Sequence, residues 1–332
     1  MSGRVAVMLA LSATAVVAAG SARADGLPVL SVDAGPTGVV TPAGSARYVT
    51  IPAGRRTVVA RVRRDGGRII RSRLLPGTFT IPAVAYDGSA GGLSANGRTL
   101  VLITPRTGFP RSQTTLLVLG ARGLAARATI RLEGDFSFDA ISPQGRLLYL
   151  IQYNQPTDPT RYLVRAYDLQ RGRLLHAPVV DPRERGEKMR GNPLSRALSP
   201  DGRWAYTLYD GAGGTPFVHA LDTSGRTARC IDLDALAGSQ YLWRLRLGVS
   251  RDGGTLTIRD GKEPELLVDT RTFKPREPTA VKEAGPNNDT GPGWPLAALV
   301  VLGVVVPAGA LLSLGVRRRA GGSTSAWRGR SA

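Results

Sequence analysis

An all-β fold built from repeated sheet units is predicted by three features of this sequence. A short turn pattern returns five times, as Thr41-Pro42-Ala43-Gly44, Ser94-Ala95-Asn96-Gly97, Ser142-Pro143-Gln144-Gly145, Ser199-Pro200-Asp201-Gly202 and Ser250-Arg251-Asp252-Gly253. Its first residues lie 53, 48, 57 and 51 positions apart, and fixed periods of this size mark blades or solenoid turns. Seven positions beyond the first residue of the turn, Tyr48, Tyr149 and Tyr206 recur, with Val101 and Thr257 in the other two units, so the units share a register.

Each turn joins two strand-like runs. Upstream lie runs such as Phe136 to Ile141 and Leu245 to Val249; downstream lie Leu147 to Ile151 and Trp204 to Leu208, rich in the aliphatic and aromatic residues that pack well on a pleated surface. Pro presets the first central residue, Asp or Asn tolerates the second, and Gly accepts the left-handed conformation that such hairpins require. A second hairpin follows in the first four units, turning at Asp65-Gly66-Gly67, at Gly120 to Gly123, at Gln170-Arg171-Gly172 and at Ser224-Gly225. Four antiparallel strands per unit of about 40 to 50 residues describe a propeller blade, so about five blades are expected over residues 25–274. The segment Ser-Pro-Asp-Gly-Arg-x-x-Tyr, Ser199 to Tyr206, closely resembles the blade motif of WD40-like and YVTN-type bacterial β-propellers. That resemblance covers roughly residues 28–274, is strongest around Ser142 and Ser199, and fades at Thr41 and Ser250.

The fifth unit runs from Leu266-Leu267-Val268-Asp269 into Pro275-Arg276-Glu277-Pro278 without room for a full fourth strand. An unpaired strand edge invites aggregation. The run Pro28 to Asp33 is therefore expected to supply the missing strand and close the ring.

Both ends of the chain read as membrane signals. Residues 1–24 carry Arg4, an apolar run from Val5 to Ala19 and a closing Ala22-Arg23-Ala24, the layout of a secretory signal peptide. Residues 275–293 are rich in Pro, Gly, Asn and charge, as in a flexible linker. Pro295 to Val316 is an uncharged run of 22 residues with Trp294 at its edge, long enough as a helix to cross a core of about 30 Å. A single-pass transmembrane helix is expected over 294–316. Residues 317–332 carry five arginines and no acid, so the basic tail is placed in the cytoplasm and the N-terminal domain outside. The arrangement is also similar to bacterial C-terminal sorting signals that are cut away, although no Leu-Pro-x-Thr-Gly is present.

Forty-four basic residues against 25 acidic ones would fit a nucleic-acid binder. Only four of the basic residues are Lys, so the excess of Arg, beside abundant Ala and Gly, is read as the bias of a GC-rich bacterial genome. No nucleic-acid partner is expected. A basic exterior favours anionic headgroups, wall polymers or a protein ligand through long-range attraction. The first unit concentrates this charge: Arg61, Arg63, Arg71 and Arg73 flank the Asp65-Gly66-Gly67 turn, with Asp65 as the counter-charge, and form the candidate anionic-surface contact. A solvated blade face is the plainer reading of the same residues.

Catalytic signatures are sparse. The two histidines, His176 and His219, have no ligand-spaced companion, so no metal site is assigned. Asp232 and Asp234 lack the spacing of a calcium loop and, like Asp201, Asp210 and Asp252, read as turn residues. Cys230 stands alone and reads as a strand residue. Neither a Gly-x-Ser-x-Gly elbow nor a phosphate-binding Gly-x-x-x-x-Gly-Lys-Ser/Thr occurs. No catalytic residue and no cofactor are assigned. The expectation is a binding or scaffolding module at the cell surface. A propeller-type hydrolase or lactonase, and a surface sensor signalling through its basic tail, are the alternatives.

Overall fold

A computed structural model describes residues 38–278 apart from 185, 187 and 188. The predicted signal peptide, the run Pro28 to Asp33, the apolar run Pro295 to Val316 and the basic tail lie outside the described residues. Among the described residues no helix is long and apolar enough to cross a membrane.

Five antiparallel sheets follow one another along the chain. The first holds β1 (Val39–Val40), β2 (Ala46–Ala53), β3 (Arg56–Arg63) and β4 (Ile69–Pro76). The second holds β5 (Thr99–Ile103), β6 (Gln113–Gly120) and β7 (Ala125–Glu133). The third runs β8 (Asp135–Ile141), β9 (Leu147–Tyr153), β10 (Tyr162–Asp168) and β11 (Arg173–Pro178). The fourth runs β12 (Pro193–Leu198), β13 (Trp204–Tyr209), β14 (Phe217–Asp222) and β15 (Thr227–Asp232). The fifth runs β16 (Leu245–Val249), β17 (Thr255–Asp260), β18 (Glu263–Asp269) and β19 (Pro275–Arg276).

All five predicted turns join the first two strand positions of a unit, and all use the same hydrogen bonds. The Gly amide donates to the carbonyl of the first residue, as from Gly202 to Ser199 at 2.8 Å. The first residue's hydroxyl accepts from the amide five positions on, at 3.0 Å for Ser142 and Leu147 and 2.8 Å for Ser199 and Trp204. In two units it also donates to the turn aspartate, Asp201 or Asp252, at 2.5 Å. Each Gly has a φ between 65° and 75°, which explains why Gly closes every copy.

Strand alternation then assigns each residue to one neighbouring sheet or the other. Along β5, Leu100 and Leu102 pack toward the first sheet, while Val101 and Ile103 pack toward the third. Along β9, Leu148 and Leu150 face the second sheet and Tyr149 and Ile151 face the fourth. Four apolar clusters result, one for each consecutive pair of sheets. The recurring position beyond the turn points to the following sheet: Tyr48, Val101, Tyr149 and Tyr206 each enter the cluster shared with the next unit. Thr257, its counterpart in the fifth sheet, lies opposite Gly248 and Leu267, outside all four clusters.

Two units depart from the expected four full strands. In the second, the first strand position is reduced to bridges between Thr80 and Ile103 and between Leu93 and Leu100. Pro82, Gly88, Gly91 and Gly92 break the run, and the loop between them leaves the sheet to reach the fourth. The amides of Tyr86 and Asp87 donate to the carbonyls of Pro193 (2.9 Å) and Leu194 (3.1 Å), and the Tyr86 hydroxyl meets Asn192 Oδ1 at 3.2 Å. In the fifth unit the fourth strand is present but short. β19 pairs with β18 as Val268 with Pro275 and Leu267 with Arg276, so these two positions of the edge are filled by the chain that follows rather than by the N-terminal run.

Candidate functional site

The first strand positions of four sheets surround a cavity of about 440 Å³ at the end of the sheets that carries the repeated turns. Its wall is small and apolar: Val39 and Val40 from β1, Gly88 to Leu93 from the second unit, Phe138 to Ile141 from β8, and Ala197 and Leu198 from β12. Val40 and Leu198 are 41% and 54% exposed. The smallness is enforced by packing. A Cβ on Gly91 would lie 2.8 Å from the Phe138 ring, and one on Gly202 would lie 2.4 Å from Ala95 Cβ.

One charged pair lines the cavity. The Arg196 guanidinium clasps the Asp139 carboxylate through Nη2, while Nη1 donates to the Asp139 carbonyl at 3.1 Å. Their side chains are 6% and 3% exposed, so both charges have left water and satisfy each other. Asp139 sits where the pairing of β8 with β9 shifts register, between Phe138 and Ala140. Sequence reading missed both residues, yet a signal existed. Counting three positions back from each turn gives Gly38, Gly91, Asp139, Arg196 and Leu247, so opposite charges occupy equivalent positions in consecutive units.

At the opposite end, Arg106 Nη2 and Arg111 Nε lie 2.5 and 3.2 Å from Asp135 Oδ1, and Arg111 Nη1 donates to the Thr104 carbonyl at 2.9 Å. The Arg106 guanidinium also stands 4.8 Å from the Tyr153 ring centre. Rings continue from there as Phe109, Tyr153, Tyr162, Tyr209 and Phe217, with neighbouring centres 5.2 to 6.2 Å apart. This assembly ties the second, third and fourth sheets together.

His219 is 2% exposed on β14, and its ring lies edge-on to Tyr209. Burial pulls its imidazole down to about 4, with Asp139 opposing and Arg196 assisting, so it is neutral near pH 7. His176 is exposed on β11. Asp201 and Asp252 occupy the turns, and Asp210 accepts from the amides of Asn192 and Ala212 at 2.8 and 2.9 Å. Burial raises the Asp232 carboxyl, and Glu184 and Asp234 add to the rise.

Asp181, Glu184 and Cys230 form a group of possible metal donors among the described residues. The donor set fits a cation poorly. Arg183 and Arg229 hold the Asp181 carboxylate at 2.6 and 2.9 Å, and the Cys230 amide donates to it at 3.0 Å. Burial pushes the Asp181 carboxyl up, but hydrogen bonds from Arg183 and from the Arg183 and Cys230 amides outweigh it and hold the group below the ordinary range.

The four arginines of the first unit are only partly brought together. Arg61 and Arg71 stand directly opposite each other on β3 and β4. Regular register places Arg73 opposite Val59, and beyond a register shift after Arg61, Arg63 pairs with Asp65 at 2.6 Å. Arg71 Nε donates to the Gly123 carbonyl of the second unit at 3.2 Å.

No protein-family model matches the chain, and no curated protein matches it. Solved structures similar to it include Kuenenia stuttgartiensis hydrazine synthase, at 16% identity and a TM-score of 0.43 over 70% of this chain and 63% of that one. TolB from Acinetobacter baumannii gives 15% and 0.41 over 71% and 52%. The β-propeller domain of Myceliophteria thermophila Cps50 (Swd1) gives 10% and 0.40 over 71% and 66%. The chain thus spans less than two thirds of the length of each of these chains.

Proposed function

We propose that the protein is an exported, single-pass membrane-anchored β-propeller of about five blades, of the WD40-like and YVTN-type kind, acting as a binding or scaffolding module at the cell surface. The cavity at the turn end carries this reading. It is walled mainly by glycine, alanine and aliphatic side chains with Phe138, and its charged pair is internally neutralised, which suits a compact, mostly apolar ligand or an inserted side chain. The arginines of the first unit, Arg61 and Arg71 foremost, offer a separate contact for anionic polymer or headgroups.

Hydrolysis gains no support from the site. Asp139 is engaged by Arg196, and the burial that encloses His219 also makes its imidazole a weak base, so neither is poised as a general base beside a nucleophile. The sensor reading likewise has no observation in its favour.

Two measurements test the proposal. A reporter fused after Ala332 is expected inside the cell, with the N-terminal domain accessible to protease from outside; the reverse orientation overturns the topology. Small molecules co-purifying from envelope extracts are expected to be retained by the wild-type protein and lost with Ala90→Trp, which fills the cavity from its lining. Equal retention by both proteins overturns the cavity as the binding site.

A further inference from the structure

We propose that the end of the fifth sheet opposite the repeated turns rests on a lipid bilayer, with Tyr241 and Trp243 seated at the headgroup boundary. The inference rests on the reading that the C-terminal run anchors the chain. Tyr241 and Trp243 are 61% and 65% exposed, the most exposed of the large hydrophobic side chains among the described residues. An exposed apolar patch of this kind marks an interaction surface.

The loop that displays them is braced. Leu242, between the two rings, turns inward and packs against the cluster shared by the fourth and fifth sheets. Arg246 Nη1 donates to the carbonyls of Trp243 and Leu245, both at 2.9 Å. Arg244 pairs with Asp260 at 2.9 Å, and its guanidinium lies 5.9 Å from the Tyr241 ring centre. The rings therefore point outward from a fixed loop, so little ordering entropy opposes their insertion.

Chemistry selects the partner. Indole and phenol rings concentrate at the membrane interface, where one edge meets hydrocarbon and the other meets water and headgroups. Arg246 and Arg259 face each other across β16 and β17, and such a like-charged pair is relieved by a phosphate acceptor. Asp260 at the same end is already paired with Arg244, and Glu263 opposite it is exposed.

Chain direction supplies an independent argument. β19 runs antiparallel to β18, with Pro275 opposite Val268 and Arg276 opposite Leu267. The chain thus leaves toward the end of the sheet that holds Leu245, Asp260 and Glu263, the same end that the Tyr241–Arg244 loop occupies. The apolar run begins at Pro295, fewer than twenty residues after Arg276.

Tryptophan quenching in the full-length chain decides the matter. In a Trp204→Phe, Trp294→Phe, Trp327→Phe background, Trp243 is the sole indole. The protein is reconstituted into phosphatidylcholine–phosphatidylglycerol vesicles with brominated or ordinary acyl chains. Trp243 emission is expected to fall at least twofold with the brominated lipid; unchanged emission overturns the contact. A companion protein keeping Trp294 alone separates the two readings. Quenching of Trp294 without Trp243 retains the anchor and overturns the contact, quenching of Trp243 without Trp294 does the opposite, and quenching of neither sinks both. An unquenched Trp243 that becomes shielded from acrylamide only when envelope proteins are added assigns the surface to a protein partner and overturns the bilayer.

Discussion

Arg196 on β12 closes its guanidinium over the carboxylate of Asp139 on β8, joining the third and fourth sheets inside the central cavity. Removing one charge strands the other. Arg196→Leu is expected to cost about 3–5 kcal/mol in chemical unfolding, as for other buried pairs deprived of one partner. The double variant Asp139→Leu, Arg196→Leu should recover most of that loss. A double variant no more stable than Arg196→Leu alone would show that the cost arises from packing rather than from the abandoned carboxylate.

The repeated turn predicts a graded cost for one chemical change. At both Gly44 and Gly202 the backbone φ is 70°, so alanine is strained at each. A Cβ at Gly44 meets nothing within 4 Å, whereas one at Gly202 lies 2.4 Å from Ala95 Cβ. Gly44→Ala should cost about 1 kcal/mol from backbone strain alone. Gly202→Ala should cost at least about twice that in thermal or urea unfolding. Equal costs would mean that the approach to Ala95 relaxes freely.

Tyr149 and Tyr206 occupy the same repeat position, yet their hydroxyls have different fates. Tyr149 donates to the Thr223 carbonyl at 2.8 Å, while the Tyr206 hydroxyl is buried without a hydrogen-bond partner. Tyr149→Phe is therefore expected to lose about 1 kcal/mol, and Tyr206→Phe to be neutral or stabilising, because an unsatisfied buried hydroxyl is itself a cost. Comparable destabilisation by the two would refute the distinction.

His219 sets an acid limit on stability. Its folded value of about 4 lies below the ordinary 6.5 of the unfolded chain, so across this window the unfolded state binds a proton that the folded state excludes. Stability should fall as pH drops from about 6.5 toward 4, by about 3 kcal/mol in all. His219→Gln should flatten that slope. The lowered carboxyls of Asp181 and Asp222 act at more acid pH, since a depressed group loses its stabilising effect as pH falls through its folded value. An unchanged slope in the variant would remove His219 as the cause.

Much of the architecture was legible because turn and strand chemistry are local. The Ser-Pro-Asp-Gly copies announce their own hydrogen bonds, and each was found where the spacing placed it. The end of the series was not legible: the run Pro28 to Asp33, expected to close the ring, lies outside the described residues. Where Tyr48, Val101, Tyr149 and Tyr206 each fill a cluster with the next sheet, the fifth unit carries Thr257, and no fifth cluster joins the last sheet to the first among the described residues. The reduced first strand of the second unit was missed, because its glycines read as ordinary loop punctuation until the loop was seen to bond to Pro193 and Leu194. The four arginines of the first unit were grouped by alternation alone. The register shift after Arg61 puts Arg63 alone out of step with β4, and a bulge of that kind leaves no composition signal.

By itself the sequence determined the five repeated turns and the paired strands beside them, since these follow from φ preferences and a two-residue period within single hairpins. Tertiary structure alone decided that Asp139 meets Arg196, that the Tyr86 loop crosses to the fourth sheet, and that a small-walled cavity remains between them. Those outcomes depend on contacts between residues tens of positions apart, whose distance is set by how whole sheets stack rather than by any local preference.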